Sequence, residues 1–156
     1  MKALVTGGTG FVGSHLIDAL LKRGDAVTAL VSTPGKAAGL AARGVRLVRG
    51  DLDAQAALRE AAEGAEVVYH VAGRVSARDD AEFLQANREG TANLLAAAHE
   101  TGTPRFVLVS SLAAAGPAAR GAPLLGGEPP RPVTAYGRSK LAGEEVVRAG
   151  PLPWVI

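Results

Sequence analysis

TGGTGFVG, Thr6 to Gly13, places four glycines in eight residues directly after the apolar run Ala3–Val5. Outward from it, Leu16, Ile17, Leu20 and Leu21 recur at helical spacing up to Gly24. The segment therefore predicts a strand over Lys2–Thr6, a turn, and a helix over Gly13–Arg23. Gly7, Gly10 and Gly13 then carry a G-x-x-G-x-x-G spacing at a strand-to-helix turn. Taken alone, such glycines would also suit a tight turn. At this position their missing side chains let a pyrophosphate approach the backbone amides, where the helix N-terminus adds partial positive charge. The last glycine lets helix and strand pack closely. Phe11, Val12, Gly13 and Ser14 stand where a triphosphate-binding loop would end in Gly-Lys-Ser/Thr, so a dinucleotide is the better ligand.

The same alternation continues along the chain. Short apolar runs predict strands over Ala26–Val31, Val45–Arg49, Val67–Val71 and Phe106–Ser110, apolar almost throughout as strands covered on both faces must be. Between them, Asp53 can cap a helix that stops at Gly64. A longer helix is expected from about Asp80 to Glu100, with Phe83, Leu84, Leu94 and Leu95 facing the sheet. Alternating strands and helices indicate an α/β protein with a parallel sheet. From Leu112 to Val133 the prolines at 117, 123, 129, 130 and 132 argue against regular structure. Thr134 then caps a helix reaching about Ala149, and Trp154–Ile156 reads as the start of another strand.

At 156 residues the chain is one domain's worth, residues 1–156. Seventeen Lys and Arg against fifteen Asp and Glu leave a net charge of +2, and the charges form no basic stripe, so no nucleic-acid partner is expected. There is no cysteine, which excludes disulfides and thiolate metal ligands. His15, His70 and His99 share no ligand spacing, so no metal site is expected; His70 is read as packing near the cofactor edge and Tyr69 as core. No run approaches the ~18 apolar residues of a membrane span. The expectation is a cytoplasmic protein with no membrane partner.

Three places could carry chemistry or cofactor choice. Tyr136 and Lys140 in YGRSK are four apart on a predicted helix, hence on one face, where an ammonium lowers the pKa of a neighbouring phenol and fits it for proton transfer. The same spacing also occurs as plain surface decoration. Ser110 and Ser111 close the fifth predicted strand at the carboxyl edge where open α/β sheets bind ligands, although a serine pair there also suits a turn or cap. The second strand ends Leu30, Val31, Ser32, Thr33 without the carboxylate that bonds a ribose 2′-OH. With Ser32 and Lys36 nearby, the reading favours NADP and keeps NAD as the alternative, Lys36 otherwise being a solvated lysine.

Together these motifs resemble the extended branch of the short-chain dehydrogenase/reductase superfamily, the NAD-dependent epimerase/dehydratase family, which includes sugar-nucleotide epimerases and dihydroflavonol reductases. The resemblance implies a Rossmann-type doubly wound parallel sheet, an NAD(P)-binding domain apparently truncated before the C-terminal substrate-binding part. It implies cofactor contacts from the glycine motif (Gly7, Thr9, Gly10, Phe11, Val12, Gly13), from Asp51 and Leu52 after the third strand, and from Val71, Ala72 and Gly73 after the fourth. Asn87 in ANREGTANLL matches the helix asparagine that supports the active site. Ser111 would orient the substrate oxygen, Tyr136 would be the acid/base, and Lys140 would bind the nicotinamide ribose, with Ser110 a supporting hydroxyl. The expected partner is a small-molecule substrate, and a homodimer stays open. Reductase and epimerase remain unseparated, with the apolar LAAAGPAARGAPLL tilting toward reductase. A dinucleotide-binding module without turnover is the alternative for the chain as it stands.

Overall fold

The computed structural model describes residues 1–156. Strands β1 (Lys2–Thr6), β2 (Ala26–Val31), β3 (Arg46–Arg49), β4 (Val67–His70), β5 (Phe106–Leu108) and β6 (Trp154–Val155) form one sheet in the order β3-β2-β1-β4-β5-β6. Every neighbouring pair is parallel. Helices α1 (Phe11–Lys22), α2 (Ala38–Ala41), α3 (Gln55–Ala62), α4 (Asp80–Leu84), α5 (Gly90–Glu100), α6 (Leu112–Ala115) and α7 (Ala135–Ala149) lie between and beside the strands. This is the parallel α/β sheet that the alternation predicts, in the doubly wound order that the resemblance implies. No helix is long and apolar enough to cross a membrane.

Period-two alternation divides the strand side chains between two cores. Leu4, Leu30, Val48, Val68 and Phe106 are buried on one face with Leu58, Leu94 and Val147 of α3, α5 and α7. Ala3, Val5, Val27, Ala29 and Val67 are buried on the other with Ile17 and Leu20 of α1 and Leu40 of α2. The chain steps outward from β1 to β3, then returns so that β4 pairs the free edge of β1. That reversal opens a crevice beyond the carboxyl ends of β1 and β4, where ligands settle in such sheets.

Several local expectations are corrected. The first helix opens at Phe11, with Gly10 as its N-cap. Four strands are shorter than expected: β3 begins at Arg46, β4 stops at His70, β5 stops at Leu108 and β6 stops at Val155. Asp53 does not cap α3; Ala54 occupies the N-cap without a side-chain bond. The Asp53 carboxylate instead accepts from Gln85 Nε2 at 2.9 Å, a long-range partner that competes with the local cap. The expected helix over Asp80–Glu100 is interrupted by a π turn at Gln85–Glu89. Within the proline-rich segment, Ser111 nucleates the one-turn α6 because no proline falls inside it. The excursion that follows is closed at its base by the Arg131 amide, which donates to Ala115 O at 2.9 Å. Thr134 caps α7 as expected, accepting from Gly137 N–H at 2.9 Å.

Candidate functional site

The three glycines of the loop after β1 do different things. Gly7 has φ +71°, and a Cβ there would lie 2.6 Å from the amide nitrogen of Ala72, so the loop after β1 and the segment after β4 meet backbone to backbone. A Cβ at Gly13 would overlap the Gly7 carbonyl, which fixes the start of α1 against the loop. Gly10 is exposed, and a Cβ on it would meet only Gly7 O, at 3.3 Å. The first helical bond runs from Ser14 N–H to Gly10 O, so the amides of Phe11, Val12 and Gly13 precede the helical ladder. Bare backbone, free amides and a helix N-terminus make a cradle that fits the pyrophosphate of a dinucleotide.

A cleft of about 280 Å³ extends from this loop past Thr9, Ser32, Lys36, Asp51, Leu52 and Ala72. Ser32 and Lys36 are exposed on it, Lys36 in a 3-10 turn at Pro34–Ala37. Asp51 is exposed on the cleft, and its Oδ1 accepts from the Asp53 amide at 3.0 Å. Leu52 is held from behind: its carbonyl accepts from Asn93 Nδ2 at 2.9 Å, and Gly90 leaves room for its side chain. Sequence reading named neither Asn93 nor Gly90, because their significance lies in contacts some forty residues distant in the chain.

Beneath the loop runs a buried chain of hydrogen bonds. Ala72 N–H donates to Thr6 Oγ1 at 3.2 Å, and Thr6 Oγ1 pairs with His70 Nδ1 at 2.7 Å. On the other ring edge, His70 Nε2 pairs with Thr91 Oγ1 at 3.0 Å, while Thr91 donates its hydroxyl hydrogen to Asn87 O at 2.8 Å. Since that hydrogen is committed, His70 carries its proton on Nε2, and Thr6 donates to Nδ1. His70 is wholly interior, behind the loop. Burial pushes its pKa down to about 3, with the Lys140 charge adding to the effect.

The π turn brings Asn87 into the interior at the carboxyl end of β4. Its amide donates to Arg74 O and to Ser139 Oγ, both at 2.9 Å, and its oxygen accepts from Arg74 N–H at 2.8 Å. Gly73 lies between Asn87 and Lys140: a Cβ there would be 3.3 Å from Asn87 Oδ1 and 3.7 Å from Lys140 Nζ. Val71 and Ala72 are half-buried beside it. Lys140 is itself buried, and Nζ donates to Val109 O at 2.8 Å. Burial lowers its pKa, and the Glu144 carboxylate opposes that shift. Tyr136 lies one turn earlier on α7, half-buried, with its ring 6.0 Å from that of Phe83. Gly137 beside it leaves α7 close enough to α6 for a Cβ to come within 3.1 Å of Pro132 and overlap Ala113 O.

The two serines separate. Ser111 caps α6, its oxygen accepting from Ala113 N–H at 3.2 Å, so its hydroxyl hydrogen is left for another acceptor. Ser110 donates inward to Glu144. The structure thus gathers Lys140, Asn87, Gly73 and the Val109–Ser111 strand end around the same crevice, with Tyr136 on the lysine's helix face.

Comparison with known proteins agrees with this geometry. The model of the NAD dependent epimerase/dehydratase family matches residues 3–150. The chain is 39% identical over 153 residues to the 4-hydroxy-2-methyl-3-oxo-4-farnesyl-3,4-dihydroquinoline-1-oxide ketoreductase of Stigmatella aurantiaca, covering 94% of this chain and 45% of the relative. Among solved structures, a short-chain dehydrogenase/reductase superfamily protein from Agrobacterium tumefaciens with bound NAD has a TM-score of 0.86 at 33% identity, covering 100% of this chain and 48% of that one. The UDP-glucuronic acid 4-epimerase of Bacillus cereus in complex with NAD has a TM-score of 0.85 at 28% identity, covering 100% and 55%. The chain therefore spans about half the length of these proteins.

Two measurements check the site's construction. Gly10→Val should fold like the wild type by circular dichroism, because only one atom crowds the new side chain, yet lose at least tenfold in dinucleotide affinity, about 1.4 kcal/mol; unchanged affinity by calorimetric titration would contradict the cradle. The second concerns His70, whose folded value of about 3 lies below its ordinary 6.5. Between those values the unfolded chain takes up a proton that the folded chain refuses, so this contribution to stability is complete above the unfolded value and declines as pH falls toward the folded one. Going from pH 7 to pH 5 should cost about 2 kcal/mol through His70, read by denaturant unfolding. The same pH slope in His70→Gln would assign the loss elsewhere.

Proposed function

Since the chain belongs to the NAD dependent epimerase/dehydratase family, we propose that it is the cofactor-binding and proton-transfer part of an NADP-dependent ketoreductase acting on an apolar carbonyl compound. The observation that carries this reading is the buried Lys140, bonded to Val109 O and set across Gly73 from Asn87, one helical turn from Tyr136. A lysine held there in low dielectric is in place both for ribose hydroxyls and for the neighbouring phenol.

When bound, the dinucleotide supplies hydride chemistry at the carbonyl carbon. The chain's own residues handle the oxygen and the proton. Ser111 donates its free hydroxyl hydrogen to the substrate oxygen and orients it. Tyr136 gives its phenolic proton to that oxygen in the reducing direction and takes it back in the oxidising one. Lys140, on the same face of α7 as Tyr136, holds the ribose. Asn87, with its amide fully engaged, fixes the Gly73–Arg74 segment against α7. The glycine loop with Thr9, Phe11 and Val12 receives the pyrophosphate, Asp51 and Leu52 the adenine side, and Val71, Ala72 and Gly73 the nicotinamide half.

Two features favour a ketone on an apolar body. Leu112, next to Ser111, is 90% exposed, and Val133, ahead of α7, is 70% exposed. The Stigmatella relative is named as a ketoreductase of a farnesylated quinoline oxide. The likeness to a UDP-glucuronic acid 4-epimerase supports a second reading, sugar-nucleotide epimerisation, which those apolar side chains fit less well. For the cofactor, the absence of a carboxylate at the end of β2 and the exposed Ser32 and Lys36 support NADP over NAD.

In the intact enzyme, Tyr136→Phe should lower turnover by about 10²- to 10⁴-fold while cofactor affinity barely moves, because the ring remains and the transferable proton is lost. Lys140→Met should reduce both turnover and cofactor affinity. Near-wild-type turnover of Tyr136→Phe with chemistry rate-limiting would favour a binding module. Fluorescence titration should show NADPH bound more tightly than NADH, and a tenfold preference for NADH, about 1.4 kcal/mol, would reverse the coenzyme assignment.

A further inference from the structure

Glu144 is a carboxylate whose side chain is only 11% exposed, on a helix with solvent available along its other face. A charge in that position is costly unless its oxygens are separately engaged. They are. One oxygen accepts the hydroxyl of Ser110, and the other accepts from Arg148 Nη2 at 2.9 Å, one turn along α7. Arg148 is half exposed, so the ion pair is steadied from the solvent side while the serine bond faces inward.

What Ser110 occupies gives this pair its importance. Beyond the end of β5, the chain leaves the sheet ladder over Val109, Ser110 and Ser111. Each of these residues is tied down by a different group. The Val109 amide donates to His70 O at 3.0 Å, its carbonyl accepts from Lys140, Ser110 donates to Glu144, and Ser111 accepts from Ala113 N–H. The bond to Glu144 has an ionised acceptor, the stronger kind. It acts on the residue directly before Ser111.

Tyr136, Lys140 and Glu144 fall four residues apart on α7, so one stripe of one helix carries the proposed acid/base, its cation and this anchor. We propose that Glu144 is a positioning residue: through Ser110 it locks the strand end to α7 and so fixes Ser111 relative to Tyr136. This rests on the ketoreductase reading above, in which Ser111 receives the substrate oxygen. A misplacement of about 1 Å at such a centre costs up to about 10²-fold in rate.

The test is a double-mutant cycle in the intact enzyme with kcat, KM, cofactor affinity and thermal midpoint read for each variant. Ser110→Ala and Glu144→Ala should each lower kcat by about tenfold or more, with cofactor affinity within twofold in Ser110→Ala, which leaves the carboxylate near Lys140 in place. The double variant should be no slower than Glu144→Ala, since both changes break one route. Glu144→Gln, which keeps an acceptor for Ser110, should recover part of the loss. If Ser110→Ala keeps kcat within twofold, if the two losses multiply, or if Glu144→Ala lowers only the thermal midpoint, the positioning role is overturned. Should Glu144→Ala fail to fold, Ser110→Ala, which removes a single hydroxyl, decides alone. Tyr136→Phe is measured alongside. Full turnover in that variant overturns the ketoreductase reading and this one together, while a slow Tyr136→Phe with a fast Ser110→Ala overturns only this one.

Discussion

The buried line from Ala72 through Thr6, His70 and Thr91 to Asn87 holds the two halves of the site in one frame. It joins the end of β1, the end of β4 and the π turn, adding side-chain bonds to the backbone pairing of β1 with β4. Every donor and acceptor in it is used, and no buried side-chain polar atom in the protein lacks a partner. That completeness matters because a buried polar group left unpaired costs about 1–3 kcal/mol, more than a typical intact bond contributes. A neutral His70 suits the line, since a second ring proton on Nδ1 would turn Thr6 from donor to acceptor and take away the acceptor of its hydroxyl hydrogen.

From this frame the rest of the crevice follows by close backbone approach. Gly7 brings the first loop against Ala72, and Gly13 brings α1 against Gly7. On the other side, a Cβ at Gly143 would lie 2.5 Å from Asn87 O, so α7 can sit directly on the π turn that the hydrogen-bond line terminates. Glycines thus set distances between elements at both walls, and only Gly10, among those at the loop, leaves its space open toward a ligand. The close-packing role read from the sequence for the last glycine extends to Gly7 in the fold, which leaves Gly10 as the open position of the motif.

Much of this was legible in the chain because it is local. The apolar runs gave all six strands to within two residues at their ends, and the Thr134 cap and the four-residue spacing of Tyr136 and Lys140 needed only helix periodicity. What was not legible depends on partners far along the chain. Asp53 looks like a cap until Gln85 takes its carboxylate. His70 looks like one more residue of a strand end until Thr6 and Thr91 close on both ring nitrogens, 64 and 21 residues away. The π turn leaves no compositional trace, because its cause is the set of bonds that Asn87 makes to Arg74 and Ser139. The two serines after β5 are chemically alike in sequence, and only the fold assigns one to α6 and the other to Glu144.

The charge on Lys140 shows how packing and chemistry are coupled here. Gly137 and Gly143 let α7 approach so closely that the lysine loses most of its water, and burial then disfavours its charged form. The Glu144 carboxylate, one turn along the same helix, pushes the other way, and the close approach also brings the strand end under the helix so that the Val109 carbonyl accepts from the ammonium. A looser helix would solvate the ammonium; a tighter one without Glu144 would leave a cation with a single carbonyl for company. The helix distance is therefore set between two electrostatic costs, and the small residues facing Ala113 and Asn87 are what permit that distance.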